Sequence, residues 1–253
     1  MELKKKNFMI TLEYDGSSYH GWQRQPGVLT IQEVVESGLE TMLRQPIRLK
    51  ASGRTDAGVH ALGQVANFYA YTTLQPDDIQ RGLNSLLPND IVVLEAREVP
   101  LSFHARFSAS SKLYEYRILN RPVPSAIDRY RLWHIRQKLD VETMRRCLPI
   151  LLGKRDFAAF MATGSATRST VRTMLQAEIH QCSDDHLRMI FRADGFLRHM
   201  VRNIVGTLVE VGQGKRTVED FMETMESRDR RRAGITAPAH GLYLVQVDYC
   251  NLT

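Results

Sequence analysis

The hydrophobic period of this chain changes in a set order, and the order occurs twice. In FMITLEYD, residues 8 to 15, Phe8, Ile10, Leu12 and Tyr14 alternate with Met9, Thr11 and Glu13, as a strand requires. Ile31, Val34, Val35, Leu39, Met42 and Leu43 then recur at helical spacing until Pro46, with Thr30 and Glu33 placed as a capping box. A short strand is expected at 47–52, another at 64–71, a helix from about Pro76 to Leu87 and a strand at 91–99, so the first half reads βαββαβ. The second half repeats that order with different residues. Its strands are expected at 112–119, 172–180, 187–193 and 242–249, its helices at 140–152 and 196–211, with an additional helix at 217–227. The stretch KRDFAAFMATGSATRST reads as a loop with a short helical turn. A doubled βαββαβ order implies an α+β protein: two pseudo-symmetric halves with largely antiparallel sheets and helices packed on one side. The crossover is expected near SFHARFSASS, 102–111, giving a first subdomain at 1–104 and a second at 105–253.

Between the second and third strands lies ASGRTDAGVHA, residues 51–61, where Arg54, Asp56 and His60 are crowded around Gly53 and Gly58. A loop at the end of a sheet carries chemistry on a rigid base, and glycines let its backbone approach a ligand closely. The same residues also fit a plain turn, with Asp56 accepting backbone N–H bonds and Arg54 pairing with it. As chemistry, one carboxylate beside one guanidinium suits a nucleophile or a base more than a proton donor, since the cation keeps it ionised. The loop has no Ser/His/Asp set, and glycoside hydrolysis normally uses two carboxylates flanking the bond.

Charge narrows the partner. The formal charge is +6, and 26 arginines stand against 8 lysines. Arginine's planar fork binds phosphate bidentately and stacks on bases, which points towards nucleic acid. Residues up to His104 hold 10 basic and 12 acidic side chains, while those from Ala105 hold 24 and 16, so the second half carries the positive field. Three scattered cysteines, Cys147, Cys182 and Cys250, support neither a disulfide framework nor a metal site. No apolar run approaches the roughly 20 residues a bilayer needs, and the basic start lacks the apolar stretch of a signal peptide, so the expected location is the cytoplasm.

The segments LEYDGSSYHGWQRQP, SGRTDAGVHALGQVANF, LNSLLPNDI, FHARFSAS, GFLRHMVRNIVGTL and GLYLVQVDY, in this order from about Phe8 to Tyr249, resemble the tRNA pseudouridine synthase A family. The resemblance implies the pseudouridine synthase fold, with the two sheets joined into one and the active cleft between the halves. It implies an isomerase that converts uridine to pseudouridine at tRNA positions 38 to 40, in the anticodon stem-loop. It also implies a homodimer and neither cofactor nor metal. The family's essential aspartate falls on Asp56, which would act at ribose C1′, at pyrimidine C6 or on the 2′ proton. The active-site tyrosine falls on Tyr114, to stack with the flipped uracil; Tyr116 shares its strand parity, so alternation alone does not separate the two. The partner arginine falls on Arg202, at the margin of an apolar helical stripe. Arg54 resembles the arginine that fills the place of the extruded base. His60 belongs to the motif, for an RNA contact or a loop hydrogen bond. Arg24, Arg106, Arg168, Arg172 and the cluster RDRRRAG, 228–234, would add RNA contacts.

Two other readings compete on the residues alone. An RNA-binding module without catalysis would use exposed sheet aromatics and has no need of an isolated aspartate in a glycine loop. A nucleoside or glycoside hydrolase lacks its second carboxylate here.

Overall fold

The opening alternation is strand β1 (Lys5–Tyr14) in the computed structural model, which describes residues 3–165 and 167–250. Phe8, Ile10, Leu12 and Tyr14 are all buried, and Phe8 stacks on the residue directly opposite it, Phe68, at 5.5 Å between ring centroids. Helix α1 (Ile31–Leu43) follows, then β2 (Lys50–Ala51), β3 (His60–Tyr71), α2 (Pro76–Leu86) and β4 (Ile91–Val99). These six elements, in the order βαββαβ, belong to the first of two compact units, which comprises the chain up to Ser110 together with the stretch from Leu244. Strands β4, β1 and β3 pair antiparallel in that order, with β2 on β3. The two helices meet where Gly38 faces Leu83 and Gly82 faces Met42.

The second unit, Ser111–Tyr243, holds most of β5 (Ala109–Asn120), β6 (Trp133–Ile135), α3 (Val141–Leu151), β7 (Gly153–Asp156), β8 (Val171–Gln181), β9 (His186–Ala193), α4 (Met200–Gly212) and α5 (Val218–Ser227). Its strand order is β5-β9-β8-β7, antiparallel throughout, and β6 adds to β5 in parallel. Helix α4 is buried at all but two of its residues, since α3 and α5 both pack on it. Among the described residues no helix is long and apolar enough to cross a membrane.

Four expectations need correction. The boundary expected at 104/105 lies at 110/111. Residues 100–108 fold over the first sheet, where Asn7 Nδ2 donates to the Pro100 and Phe103 carbonyls. The chain also crosses back: β10 (Leu242–Tyr249), which closes the second βαββαβ, runs beside β3, with its Val245 carbonyl against Gly63. The capping box at Thr30 does not form: the Gly21 and Trp22 carbonyls accept the Ile31 and Gln32 N–H groups, and Thr30 Oγ1 is buried without a partner. Helix α4 begins at Met200, not at 196, after His199 takes a left-handed φ of 61°. Strands β6 and β7 were not legible; Ala166, inside the stretch read as a loop, lies outside the described residues.

A buried polar pair fastens residues 100–108 to the sheet: Asn67 donates to Asn7 Oδ1 at 2.9 Å and accepts the Ala105 N–H at 2.8 Å. Replacing Asn67 with leucine strands both partners in a dry interior. Urea unfolding should show a loss of about 1–3 kcal/mol; an unchanged midpoint would contradict this account.

Candidate active site

The loop between β2 and β3 is tied through the backbone at six of its eight residues. Ser52 N–H donates to the Val65 carbonyl and its hydroxyl to Gln64 Oε1, while Gln64 Nε2 returns a bond to the Gly53 carbonyl. Thr55 Oγ1 lies 2.8 Å from the Tyr14 hydroxyl, and the Thr55 carbonyl accepts the Trp22 N–H. Gly58 N–H reaches the Tyr19 carbonyl, and Val59 N–H closes a turn on the Asp56 carbonyl. What the ties leave outside is Arg54 and Ala57, both exposed, and the half-buried Asp56. A rigid loop thus holds one carboxylate at its tip.

The segment DGSSYHGW, 15–22, is the wall behind that loop. A Cβ on Gly16 would lie 2.0 Å from the Val59 carbonyl oxygen, and one on Gly21, whose φ is 87°, would lie 2.6 Å from that of Thr55. Gly58 also takes a left-handed φ of 76°, whereas Gly53 does not, so only one of the two loop glycines is needed for its conformation. His60 is not in the loop: it opens β3 with its ring 2% exposed, its Nδ1 3.1 Å from the Gly16 N–H and 3.2 Å from Asp15 Oδ1. The neutral ring accepts from Gly16 and the imidazolium donates to Asp15, so in either state it fastens the wall. Burial raises the Tyr14 hydroxyl to about 12, opposed in part by its bonds to Thr55 and Gln64.

In the second unit the two tyrosines that alternation could not separate are now distinct. Tyr116 is fully buried and donates to the Pro238 carbonyl at 2.7 Å, with its ring against Gly241; burial holds its hydroxyl well above the ordinary phenol range, against the pull of the nearby Arg202 charge. Tyr114 sits edge-on to Phe196 at 4.9 Å. Arg202, half-buried on α4, donates from Nε to the Ala237 carbonyl, and the Ala237 N–H bonds back to the Arg202 carbonyl. The strap 234–237 lies flat on α4 because a side chain at Gly206 would strike the Ile235 carbonyl at 1.8 Å. Asn203, also buried, accepts from Thr236 Oγ1 and Arg230 Nη2 and donates to the Phe160 carbonyl.

The comparisons agree with the motif reading. The family described as tRNA pseudouridine synthase matches residues 10–108 and 149–250. The tRNA pseudouridine synthase A of Acetivibrio thermocellus is 45% identical over 244 residues, covering 96% of this chain and 100% of that protein. The chain belongs to the tRNA pseudouridine synthase A family. Similar proteins of that name include one from Thermoanaerobacter sp., 45% identical with the same coverage, and a second from Desulfotalea psychrophila, 44% identical over 250 residues and likewise covering 96% of this chain and all of its own length. Asp56 and Arg202 fall inside the family match, and Tyr114 lies between its two stretches.

Several arginines expected on the RNA side have carboxylate neighbours. Arg24 faces Glu33 and Glu36, at 3.5 and 3.7 Å. In RDRRRAG, Arg228 pairs with Asp156, Arg231 with Asp229 and Arg232 with Glu223, while Arg230 is partly buried against Asn203 and Thr236. That cluster braces α4 and α5. Arg172 donates to the Ser169 and Val171 carbonyls and has its Nε near Gly195; Arg168 is exposed. Arg106 is exposed, its guanidinium 5.6 Å from the Phe107 ring centroid. The sequence missed the supporting roles of Gly16, Gly21, Tyr14 and Trp22, although DGSSYHGW stood in the motif.

Gly21 and Gly27 both have left-handed φ, but nothing lies within 4 Å of a Cβ on Gly27. Gly27→Ala should cost about 1 kcal/mol of stability and leave turnover intact. Gly21→Ala pushes on the loop itself, and displacement of a catalytic group by about 1 Å costs on the order of 10²-fold, so its kcat should fall by about that factor; equal kcat in the two variants would refute the wall.

Tyr14 yields a pH prediction. Its folded pKa of about 12 exceeds that of a free phenol, about 10, so the folded state keeps a proton that the unfolded chain loses. This stability is complete below pH 10 and disappears as pH rises to about 12. Between pH 9 and 11 the wild type should lose about 1 kcal/mol more unfolding free energy than Tyr14→Phe; parallel profiles would contradict the burial of this hydroxyl.

Proposed function

We propose that this chain carries out the family's reaction, uridine to pseudouridine in tRNA, at positions 38 to 40 of the anticodon arm, with Asp56 as the essential carboxylate. The isomerisation breaks the bond from uracil N1 to ribose C1′, makes one from C5 to C1′, releases the C5 proton and protonates N1. Nothing is oxidised or reduced. The carboxylate acts at C1′, at C6 or on the 2′ proton, and each route needs it ionised and still. The observation that carries this reading is the loop 52–59, bonded along its backbone and backed by Gly16 and Gly21, with the Asp56 side chain half-open at its tip.

Tyr114 is the residue assigned to stack with the extruded uracil. Its edge-on contact with Phe196 supports this, and the Tyr116 hydroxyl is engaged by Pro238, which favours Tyr114 over it. Arg202 is assigned to balance the carboxylate's charge, supported by its two-way bond to Ala237, which stiffens the side chain's base. Arg54 stands two residues before the carboxylate and exposed, the position of a group that holds the opened RNA while the base is out. Arg168 and Arg172 are assigned to RNA, and His60 acts through the loop. We assign a homodimer acting in the cytoplasm on the same resemblance.

Purified protein should release tritium from C5-labelled uridine in tRNA without added cofactor. Asp56→Asn should abolish release while tRNA binding persists. Full turnover by Asp56→Asn would refute the assignment, and loss of binding alongside turnover would move Asp56 from chemistry to the fold.

A further inference from the structure

Some cations of the first unit are paired with carboxylates and others are not. Lys6, Arg24, Arg48, Arg81 and Arg97 each lie within 4 Å of a carboxylate. Lys4, Lys5, Arg44, Lys50, Arg54 and Arg106 have no carboxylate partner among the described residues, and of these Lys5 and Lys50 share one ring while Arg106 lies on the segment that covers the same face. In the β1/β3 register Lys5 is opposite Tyr71 and Asn7 opposite Tyr69, and Lys50 of β2 is opposite Asn67. Opposed residues and every second residue share a face, so Lys5, Tyr71, Tyr69, Asn67 and Lys50 project from the same side of the sheet. Both ammonium groups reach one ring: Lys5 Nζ is 4.8 Å and Lys50 Nζ 4.7 Å from the Tyr69 centroid.

The segment after β4 adds to this face. Tyr69 donates its hydroxyl to the Leu101 carbonyl and Asn67 accepts the Ala105 N–H, which places residues 101–107 over the same side. There the His104 and Phe107 rings are 4.4 Å apart, Phe107 is 77% exposed, and Arg106 lies against it. Burial first, then the Lys50 charge and, further down, that of Arg106, hold His104 below the ordinary imidazole range, so the nearby cations add to an effect that burial leads. Two ammonium groups within roughly 10 Å of each other repel. Cation–π contacts to one ring fix their positions without neutralising them, which leaves an anion to complete the arrangement. The half of the chain that holds these lysines is otherwise slightly acidic, so the patch is local and does not reflect a general basic surface.

We propose that Lys5, Lys50 and Arg106, seated on Tyr69 and Phe107, form a phosphate clamp for the tRNA backbone, remote from the nucleotide being rearranged. This rests on the reading of the chain as a tRNA-modifying enzyme. Tyr69 lies nine residues along β3 from His60, where the Asp56 loop ends, which at about 3.3 Å per residue is roughly 30 Å. The clamp therefore holds a part of the RNA well away from the target base, and the partner it fits is a folded RNA arm and not a lone nucleotide. Its cations lie on the rings, Lys5 and Lys50 on Tyr69 and Arg106 by Phe107, so it offers charge to phosphates.

The test is binding of a full-length unmodified tRNA by fluorescence anisotropy at salt concentrations between 50 and 200 mM. Each phosphate contact contributes roughly 0.7 to 0.9 to the slope of log affinity against log salt, so Lys5→Ala with Lys50→Ala should lower that slope by about 1.5 and weaken binding, with KM for tRNA rising in step. Lys5→Arg with Lys50→Arg should keep most of the slope, and Arg81→Ala, which removes a carboxylate-paired cation, should leave it unchanged. An unaltered slope and affinity in the double alanine variant overturns the clamp. So does a loss confined to kcat, which would place the lysines in the chemistry, or a loss of binding to phosphatidylserine vesicles with tRNA binding intact, which would make this a lipid-facing surface. Binding is read without turnover, so a wild type that holds tRNA through these lysines yet isomerises no uridine would sink the assigned reaction and leave the clamp standing.

Discussion

The contact on which the chemistry proposed for the first unit depends is backbone against backbone: the segment 15–22 against the loop 52–59. Gly16 and Gly21 allow an approach that any side chain would block, and the Trp22 N–H and the Tyr19 carbonyl then bond directly to the loop. A carboxylate on a two-glycine loop would ordinarily wander. Here the loop is held, because six of its eight residues have a backbone group already bonded and freeing those groups would cost their hydrogen bonds. The same segment also caps helix α1 through the Gly21 and Trp22 carbonyls, so strand, loop and helix share one support.

The second unit reaches a similar end by different means. Arg202 extends from a helix that is buried almost all round, and such a helix has little room for charge. The strap after α5 resolves this. Its Ala237 carbonyl takes the Arg202 Nε, its Thr236 hydroxyl bonds Asn203, and Arg230 bonds both Asn203 and Thr236. The next residue, Pro238, accepts the Tyr116 hydroxyl from β5, the strand that also carries Tyr114. Arg202 and the tyrosine strand are thus referenced to the same few atoms.

Electrostatics divides the arginines and lysines by task. Those with carboxylates nearby stabilise local structure only weakly where exposed, since solvent screens such pairs. Those without carboxylates keep their full field for a polyanion. Arg228, Arg231 and Arg232 of the cluster at 228–234 are of the first kind, and Lys5 and Lys50 of the second.

Local physics made much of this protein legible before any coordinates. Alternation at Phe8 to Tyr14, the helical recurrence from Ile31 and the strand at 91–99 depend on neighbours within a few residues, and they stand where expected. The doubled element order and the Asp56 loop were readable for the same reason. What tertiary structure alone decided involves partners far apart in the chain. Thr30 has the spacing of a cap but makes no side-chain cap bond, and carbonyls from residues 21 and 22 accept the N–H groups that follow it. His60 leaves the loop for the strand because Gly16 gives its ring a buried hydrogen bond. Tyr114 and Tyr116 are equivalent by parity until Pro238, more than a hundred residues on, engages one of them. Sequence determines which groups exist and how each short segment repeats its pattern; only folding determines which donor meets which acceptor, because that pairing is a property of distance in space.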